Sequence, residues 1–183
     1  MSGDAKNTQL WNGADVFIAP LGTAGPDDTV TAWAASWDAV GLLDGEEGFT
    51  EARDQDTSEH YAWGGNLYRR TVSKHKRSFK FVALEDNDVV FDLVNPGSDR
   101  TTAAGVRTSK IKAPVAGQKF AIGFELRDNG RIKRRIAKIA EVSEVAEIKE
   151  SESDPTVFEI TVLVFPESDG TLYTTIEDDP EAA

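Results

Sequence analysis

Alternation of apolar and polar residues with a period of two is the feature that most constrains this chain. Between residues 156 and 165 the alternate positions are apolar: Phe158, Ile160, Val162 and Val164. Residues 119–127 repeat the pattern, and Asn129-Gly130, a pair typical of two-residue hairpin turns, follows them. Side chains two apart in a strand lie on the same face of a sheet, so the pattern predicts half-buried strands joined by tight turns.

The same signals divide the rest of the chain into about eight or nine strands separated by Gly, Pro, Asn and Asp. The predicted helix is residues 86–94, where Val90, Leu93 and Val94 have helical spacing and Asn95-Pro96-Gly97 follows. Residues 31–39 fit neither pattern, and residues 98–105 are predicted to form a loop. The 183 residues therefore predict a mainly β fold, a single-domain sandwich or barrel with one short flanking helix.

The composition argues against an enzyme. The chain has no cysteine and only two histidines, His60 and His75, which excludes disulfides, thiolate metal sites and a three-histidine zinc site. No Gly-rich phosphate loop and no nucleophile elbow occurs. We therefore predict no catalytic residues, no cofactor and no metal. No apolar run approaches about 18 residues, which predicts no membrane partner. No secretory signal is recognisable, so we expect a protein that is made and assembles in the cytoplasm, or that leaves it by a route needing no signal.

The net charge of −12 conceals three blocks of alternating sign: acidic, basic and acidic. Residues 1–60 hold two basic and twelve acidic side chains, and residues 61–140 hold seventeen basic and seven acidic ones. Residues 141–183 are acidic again, with one basic and thirteen acidic side chains. Two interpretations stay open: solvated strand faces whose charges happen to cluster, or a surface built to meet copies of itself.

Residues 54–66 are predicted to form a long loop between two strands, and a connection of this length is usually functional. It carries two large aromatic residues, Tyr61 and Trp63, which would be good anchors against a partner. Asp54, Asp56 and Glu59 resemble part of a calcium loop, but the required glycine and distal glutamate are missing.

The stretch from Arg69 to Arg77 is basic and flanked by Tyr68 and Phe79, which suggests a test for nucleic-acid binding. No RNP-like pattern accompanies it, and the phenylalanine is predicted to lie in the core. The favoured interpretation is a basic strand face that meets an acidic neighbour.

Three runs in a fixed order, residues 37–51, 56–65 and 85–97, resemble the major tail proteins, or tail tube proteins, of long-tailed bacteriophages, especially those of actinobacterial hosts. The last strand at 158–165, followed by Pro166 and an Asp-Gly turn, is also similar to that family. The resemblance extends from about residue 12 to residue 176. Outside this range, residues 1–12 are predicted to form an N-terminal arm and residues 177–183 an acidic C-terminal tail.

The resemblance implies a structural subunit of the virion that forms hexameric rings stacked into a hollow tube. A tape-measure protein fills the tube during assembly, tail terminator and baseplate proteins bind its ends, and double-stranded DNA passes through an acidic bore. It also makes residues 54–66 the loop that reaches the next ring. The expected contact residues are Asp54, Asp56, Glu59, His60, Tyr61, Trp63, Arg69 and Arg70, and the expected lumen or subunit charges are Glu51 and Glu159.

Two alternatives stay open at this point. A tail terminator or a baseplate hub subunit with a related sandwich would stop at one ring. A soluble β-sandwich binding module would instead use the basic central strands to hold a ligand or nucleic acid, with a steep dependence on salt.

Overall fold

A computed structural model describes residues 8–113 and 117–179, so residues 1–7 of the predicted N-terminal arm and residues 180–183 of the predicted tail lie outside the described residues. Within them the chain forms ten strands and one helix. Their bounds are β1 (Gly13–Pro20), β2 (Asp38–Ala39), β3 (Thr50–Tyr61), β4 (Leu67–Ala83), α1 (Asp88–Val94), β5 (Asp99–Ala103), β6 (Val106–Lys110), β7 (Lys119–Asp128), β8 (Arg131–Val145), β9 (Phe158–Val164) and β10 (Thr174–Glu177).

Eight of these strands form one antiparallel sheet in the order β2-β1-β7-β8-β9-β4-β3, and β10 also pairs with β8. The long strand β8 organises the sheet. Along one edge it pairs with β7, and along the other it pairs first with β10 at residues 133–136 and then with β9 at residues 140–145. The predicted Asn129-Gly130 turn joins β7 to β8, with positive φ angles of 47° and 88°.

Residues 38–44 link the two sides of this sheet. They pair with β1 through Ala39 and Asp38, and Leu43 then bridges to Ala83 at the end of β4. The sheet curls so far that the ring of Phe79 lies 4.9 Å from that of Phe124 on β7. The enclosed core holds the alternating apolar residues that the sequence predicts on β4, β7 and β9. The predicted mainly β sandwich or barrel with one helix is confirmed.

Strand β7 is buried on both faces, although its sequence predicts only one buried face. Residues Trp33 and Trp37, with the loop that carries them, cover the second face in a separate cluster with Ala121 and Ile136. A Cβ atom on Gly123 would lie 2.3 Å from the Trp33 ring, so only glycine fits this position on β7. Residues 31–37 thus form a lid over the sheet, and residues 38–39 form the short strand β2.

The helix begins at Asp88, two residues later than predicted, and ends at Val94 as predicted. Its N-cap is Asn87, whose side chain accepts a hydrogen bond from the backbone N–H of Val90 at 2.9 Å. Asp86, two residues before the helix, binds Arg100 at 2.6 Å. The helix buries Phe91 in addition to Val90 and Leu93.

Two predicted loops are wrong. Residues 54–61 continue strand β3 and pair with β4, so only residues 62–66 of the predicted 54–66 loop connect strands. Residues 99–103 form β5, which pairs with β6 as a separate hairpin. Polar residues dominate both segments because the hairpins face solvent on both sides, so neither shows the apolar alternation by which a half-buried strand is recognised. Strand β4 runs without a break from Leu67 to Ala83, with an irregularity at Lys74.

Candidate functional site

A two-stranded hairpin projects from the body, and we call residues 54–76 the arm. Strand β9 pairs with β4 only between Arg77 and Ala83, so β4 beyond Arg77 has β3 as its one partner. Every arm residue is exposed except Thr71, which is half-buried. Ten residues of β4 lie in the arm, and at about 3.3 Å per residue they carry it about 33 Å from the body.

The tip of the arm carries aromatic side chains that are exposed to solvent. Ala62 donates a backbone hydrogen bond to Asn66 at 2.8 Å, and Gly64 and Gly65 supply the positive φ angles that close the turn. Trp63 projects from this turn with its whole side chain exposed. Three further large side chains at the tip are at least half exposed: Tyr61, Leu67 and Tyr68. Exposed aromatic clusters of this kind mark surfaces that bind partners.

Ion pairs cross the arm and hold its two strands in register. Lys74 binds Asp56 at 2.6 Å, and Arg70 lies 4.0 Å from Glu59. The Tyr61 hydroxyl donates a hydrogen bond to Glu59 at 2.5 Å, which raises the pKa of Tyr61. Four of the eight predicted contact residues therefore serve the arm's own structure, either in these pairs or through this hydrogen bond.

The remaining predicted contact residues lie on the arm without such a role. Among the described residues, Arg69 and Asp54 make no ion pair, and Trp63 packs against nothing. His60 lies opposite Arg69, and its ring is 6.3 Å from that of Tyr68. The structure thus gathers all eight predicted residues on one projecting element, and their contacts with other subunits stay a prediction.

Glu51, a predicted lumen charge, lies at the base of the arm in a network within the subunit. Its carboxylate accepts hydrogen bonds from Arg77 at 2.6 Å and from the Tyr173 hydroxyl at 3.0 Å, and Arg135 lies 4.0 Å away. Arg53 lies 3.3 Å from the same carboxylate. Burial disfavours the charged form, but the bond from Tyr173 and the nearby guanidinium groups outweigh it and lower the pKa of Glu51.

This network fixes where the arm leaves the body, because Glu51 is on β3, Arg77 on β4 and Arg135 on β8. The sequence gives no signal for Arg135 or Tyr173, since 122 residues separate Tyr173 from Glu51. The other predicted lumen charge, Glu159, is half-buried on β9 and pairs with Lys80 of β4 at 3.4 Å. A lumen role for either residue stays a prediction.

The described residues contain no arrangement suited to catalysis. Both histidines lie exposed on the arm, and neither makes a hydrogen bond or an ion pair with an acidic residue of the described ranges. No group of three or more His, Asp or Glu in the described ranges could hold a metal ion. None of the helices in residues 8–113 and 117–179 has the length and apolar character needed to cross a membrane.

Comparison with known structures finds the same fold in a chain of the sheath-tube complex of PVC, an extracellular contractile injection system, in its extended state. The two chains share 11% identity over 93% of each, with a TM-score of 0.50. The sheath/tube terminator of the same system matches over 94% of this chain and 99% of that one, at 12% identity and a TM-score of 0.47. The tube-terminating cap of the anti-feeding prophage gives 10% identity, coverage of 97% and 100%, and a TM-score of 0.47. Among curated proteins there is no match.

The family model described as phage tail tube protein matches residues 5–183, nearly the whole chain. The match includes the curled sheet, the helix and the arm, and it agrees with the resemblance that the sequence shows. The chain belongs to the phage tail tube protein family and is a structural, non-enzymatic component of a phage tail.

Proposed function

We propose that this chain assembles into hexameric rings that stack into the hollow tube of a phage tail, with the arm joining each ring to the next. The arm carries the proposal: it extends about 33 Å beyond the body, buries nothing of its own and presents exposed aromatic side chains at its tip. A lone two-stranded ribbon is marginally stable in water, so an arm this long is best explained by a partner that covers it.

The tube would conduct double-stranded DNA without binding it. The formal net charge of −12 favours weak, non-adhesive contact with a polyanion, because binding needs clusters of Lys and Arg aimed at phosphates. During assembly the same bore would hold a tape-measure protein, and terminator and baseplate proteins would close the two ends. Six subunits per ring is what the family resemblance implies.

Negative-stain electron microscopy of the purified protein tests this function, since stacked rings give cross-striated tubes and end views count the subunits. We expect tubes from the wild-type chain. Trp63→Ala should leave the monomer folded, because Trp63 packs against nothing within the subunit, yet raise the concentration needed for tube growth about tenfold or more.

Trp63→Phe is the matched variant, because it keeps an aromatic side chain and should retain most assembly. Val30→Ala, at an exposed site away from the arm, should leave tubes unchanged. Normal tubes from Trp63→Ala would remove the arm from the proposed contact. Discrete rings that never stack would favour a terminator, and salt-sensitive DNA affinity of the monomer would favour a binding module.

A further inference from the structure

The body has two opposite ends, and the arm leaves from only one of them. Along β9, Val164 lies beside Arg77 at the base of the arm, and Phe158 lies beside Ala83 at the other end. The connection between β8 and β9, residues 146–157, therefore lies at the end away from the arm. The helix α1 contacts β9, and Arg100 binds Asp86 just before α1, which brings the hairpin β5–β6 to this same end.

An open groove of about 600 Å³ lies between α1, the hairpin β5–β6 and the β8–β9 connection. We call it the far-end groove. Its apolar lining includes three aliphatic side chains that are at least one-third exposed, namely Leu84, Ile111 and Ile148. Ile111 is 63% exposed, although it is a large apolar residue. Exposed aliphatic residues that line one concave surface indicate a docking site.

The rim of this groove is acidic along the β8–β9 connection, which faces the more basic hairpin β5–β6 across the groove. Residues 144–154 are mostly exposed and hold five carboxylates and a single lysine, Lys149, which pairs with Asp154 at 3.6 Å. The other four carboxylates make no ion pair with any described residue: Glu144, Glu147, Glu150 and Glu152. Glu150 also contributes to the lining of the groove.

The tip of the arm has the complementary properties. Its exposed apolar side chains include Trp63 and Tyr68, and two cations, Arg69 and Arg70, follow directly on β4. Within one subunit the tip cannot reach the far-end groove, because the two lie at opposite ends of the β4–β9 pair. When a second copy stacks head to tail on the first, the arm tip of one copy comes next to the far-end groove of the other.

We propose that the far-end groove of one copy receives the arm tip of the next copy, with the aromatic side chains inside the groove and Arg69 and Arg70 against the acidic rim. This rests on the proposed function, which supplies the stacking. The contact uses different surfaces on the two partners, so an assembly always ends in a free arm on one side and a free groove on the other, and it continues to grow as a filament. The charges would set orientation and rate of encounter, and the apolar contact would supply most of the affinity.

A chain without cysteine allows a direct cross-linking test. Ala62→Cys places a thiol beside Trp63 without removing it, and Ser109→Cys places one on the lining of the far-end groove. A short thiol-reactive cross-linker added to tubes of the double variant should give a ladder of covalent multimers on a denaturing gel. The control pairs Ala62→Cys with Val30→Cys, an exposed site remote from the groove, and should give at least tenfold less product.

Charge reversal gives an independent readout. Arg69→Glu with Arg70→Glu should raise the concentration needed for tube growth about tenfold or more, and Glu147→Lys with Glu150→Lys should do the same. A mixture of the two variants should restore tube growth. The acidic arm of one variant then meets the basic groove rim of the other, and the unchanged arm and groove also match. Circular dichroism of each monomer checks that the variants remain folded.

The outcomes separate the two proposals. If the wild-type chain forms no tubes, the proposed function fails, and the far-end groove loses its occupant with it. If tubes form and the arm cross-links to Val30→Cys but not to the groove, or if the groove reversal leaves tube growth unchanged, the tube function stands and the groove assignment is overturned.

Discussion

The charged pair Glu125–Arg134 is the least exposed polar feature of the described residues, at 6% and 3% exposure. Arg134 Nε donates to Glu125 at 2.8 Å, and the Trp33 indole N–H donates to the same carboxylate oxygen at 2.7 Å. Arg134 also donates to the backbone oxygens of Asp28 and Thr31. The pair therefore ties the lid over β7 to the sheet beneath it.

Glu125→Gln should lower the free energy of unfolding by about 3 kcal/mol, because it leaves the buried guanidinium of Arg134 without its counter-charge. Urea denaturation followed by tryptophan fluorescence measures this, since Trp33 contacts the altered group. Glu47→Gln, at an exposed site, is the control and should change stability by less than about 0.5 kcal/mol. A loss of similar size in both variants would contradict the assigned role of the pair.

Among the elements, the arm, like the hairpin β5–β6, contributes no residue to the core. Its residues are exposed, and its internal order comes from ladder hydrogen bonds and from ion pairs such as Lys74–Asp56. The β3–β4 ladder is interrupted between Asp54 and Asp56, at the base of the arm beside the Glu51 network. Body and arm should therefore be separable.

Replacement of residues 55–75 by Asn-Gly joins Asp54 and Lys76, which face each other in the ladder, through a two-residue turn. We expect the melting temperature to change by only a few degrees, because no core residue is removed. Assembly should be lost in the same sample, as judged by sedimentation. A shortened chain that fails to unfold cooperatively would show that the arm belongs to the folding unit.

For the whole molecule, two partly buried carboxylates make stability depend on pH. The pKa values of Glu51 and Glu125 lie below the ordinary glutamate value of 4.5, because hydrogen bonds and guanidinium groups outweigh the effect of burial. The unfolded chain then binds more protons in acid than the folded chain does. Their stabilisation is fully present above about pH 4.5 and is lost as the pH falls through the folded pKa values.

Asp92 acts in the opposite direction, because burial and the nearby Asp88 raise its pKa, so the folded chain holds this proton more tightly. Its effect is opposed by two carboxylates with lowered pKa values, Glu51 and Glu125, each of which lies in a network of guanidinium groups. We therefore measure the urea midpoint of unfolding from pH 7 to pH 3. The midpoint should decrease once the pH is lowered past about 4.5, and it should decrease less steeply in Glu51→Gln. A midpoint that is constant over this range would refute the expectation.

The sequence by itself determined the β character, the core faces of β4, β7 and β9, the hairpin turn at Asn129-Gly130 and the end of the helix. These features follow from period-two alternation and from turn chemistry, which are local properties of the chain. The order of motifs along the chain also carries the family resemblance, and it marked residues 54–66 as the segment of interest. The predicted loop was too long, because residues 54–61 belong to strand β3 and only residues 62–66 connect β3 to β4.

The tertiary structure alone decided that this segment is an arm, that Trp33 covers the second face of β7, and that Glu51 meets Tyr173 across 122 residues. An exposed hairpin has no apolar face to reveal it, and a lid or an ion-pair network depends on contacts between residues far apart in sequence. Which segments lie at each end of the body also depends on pairing between strands far apart in sequence. The charge blocks are visible in the sequence, but only the strand register places the acidic β8–β9 connection at the end of the body opposite the arm, because register fixes which residues share an end.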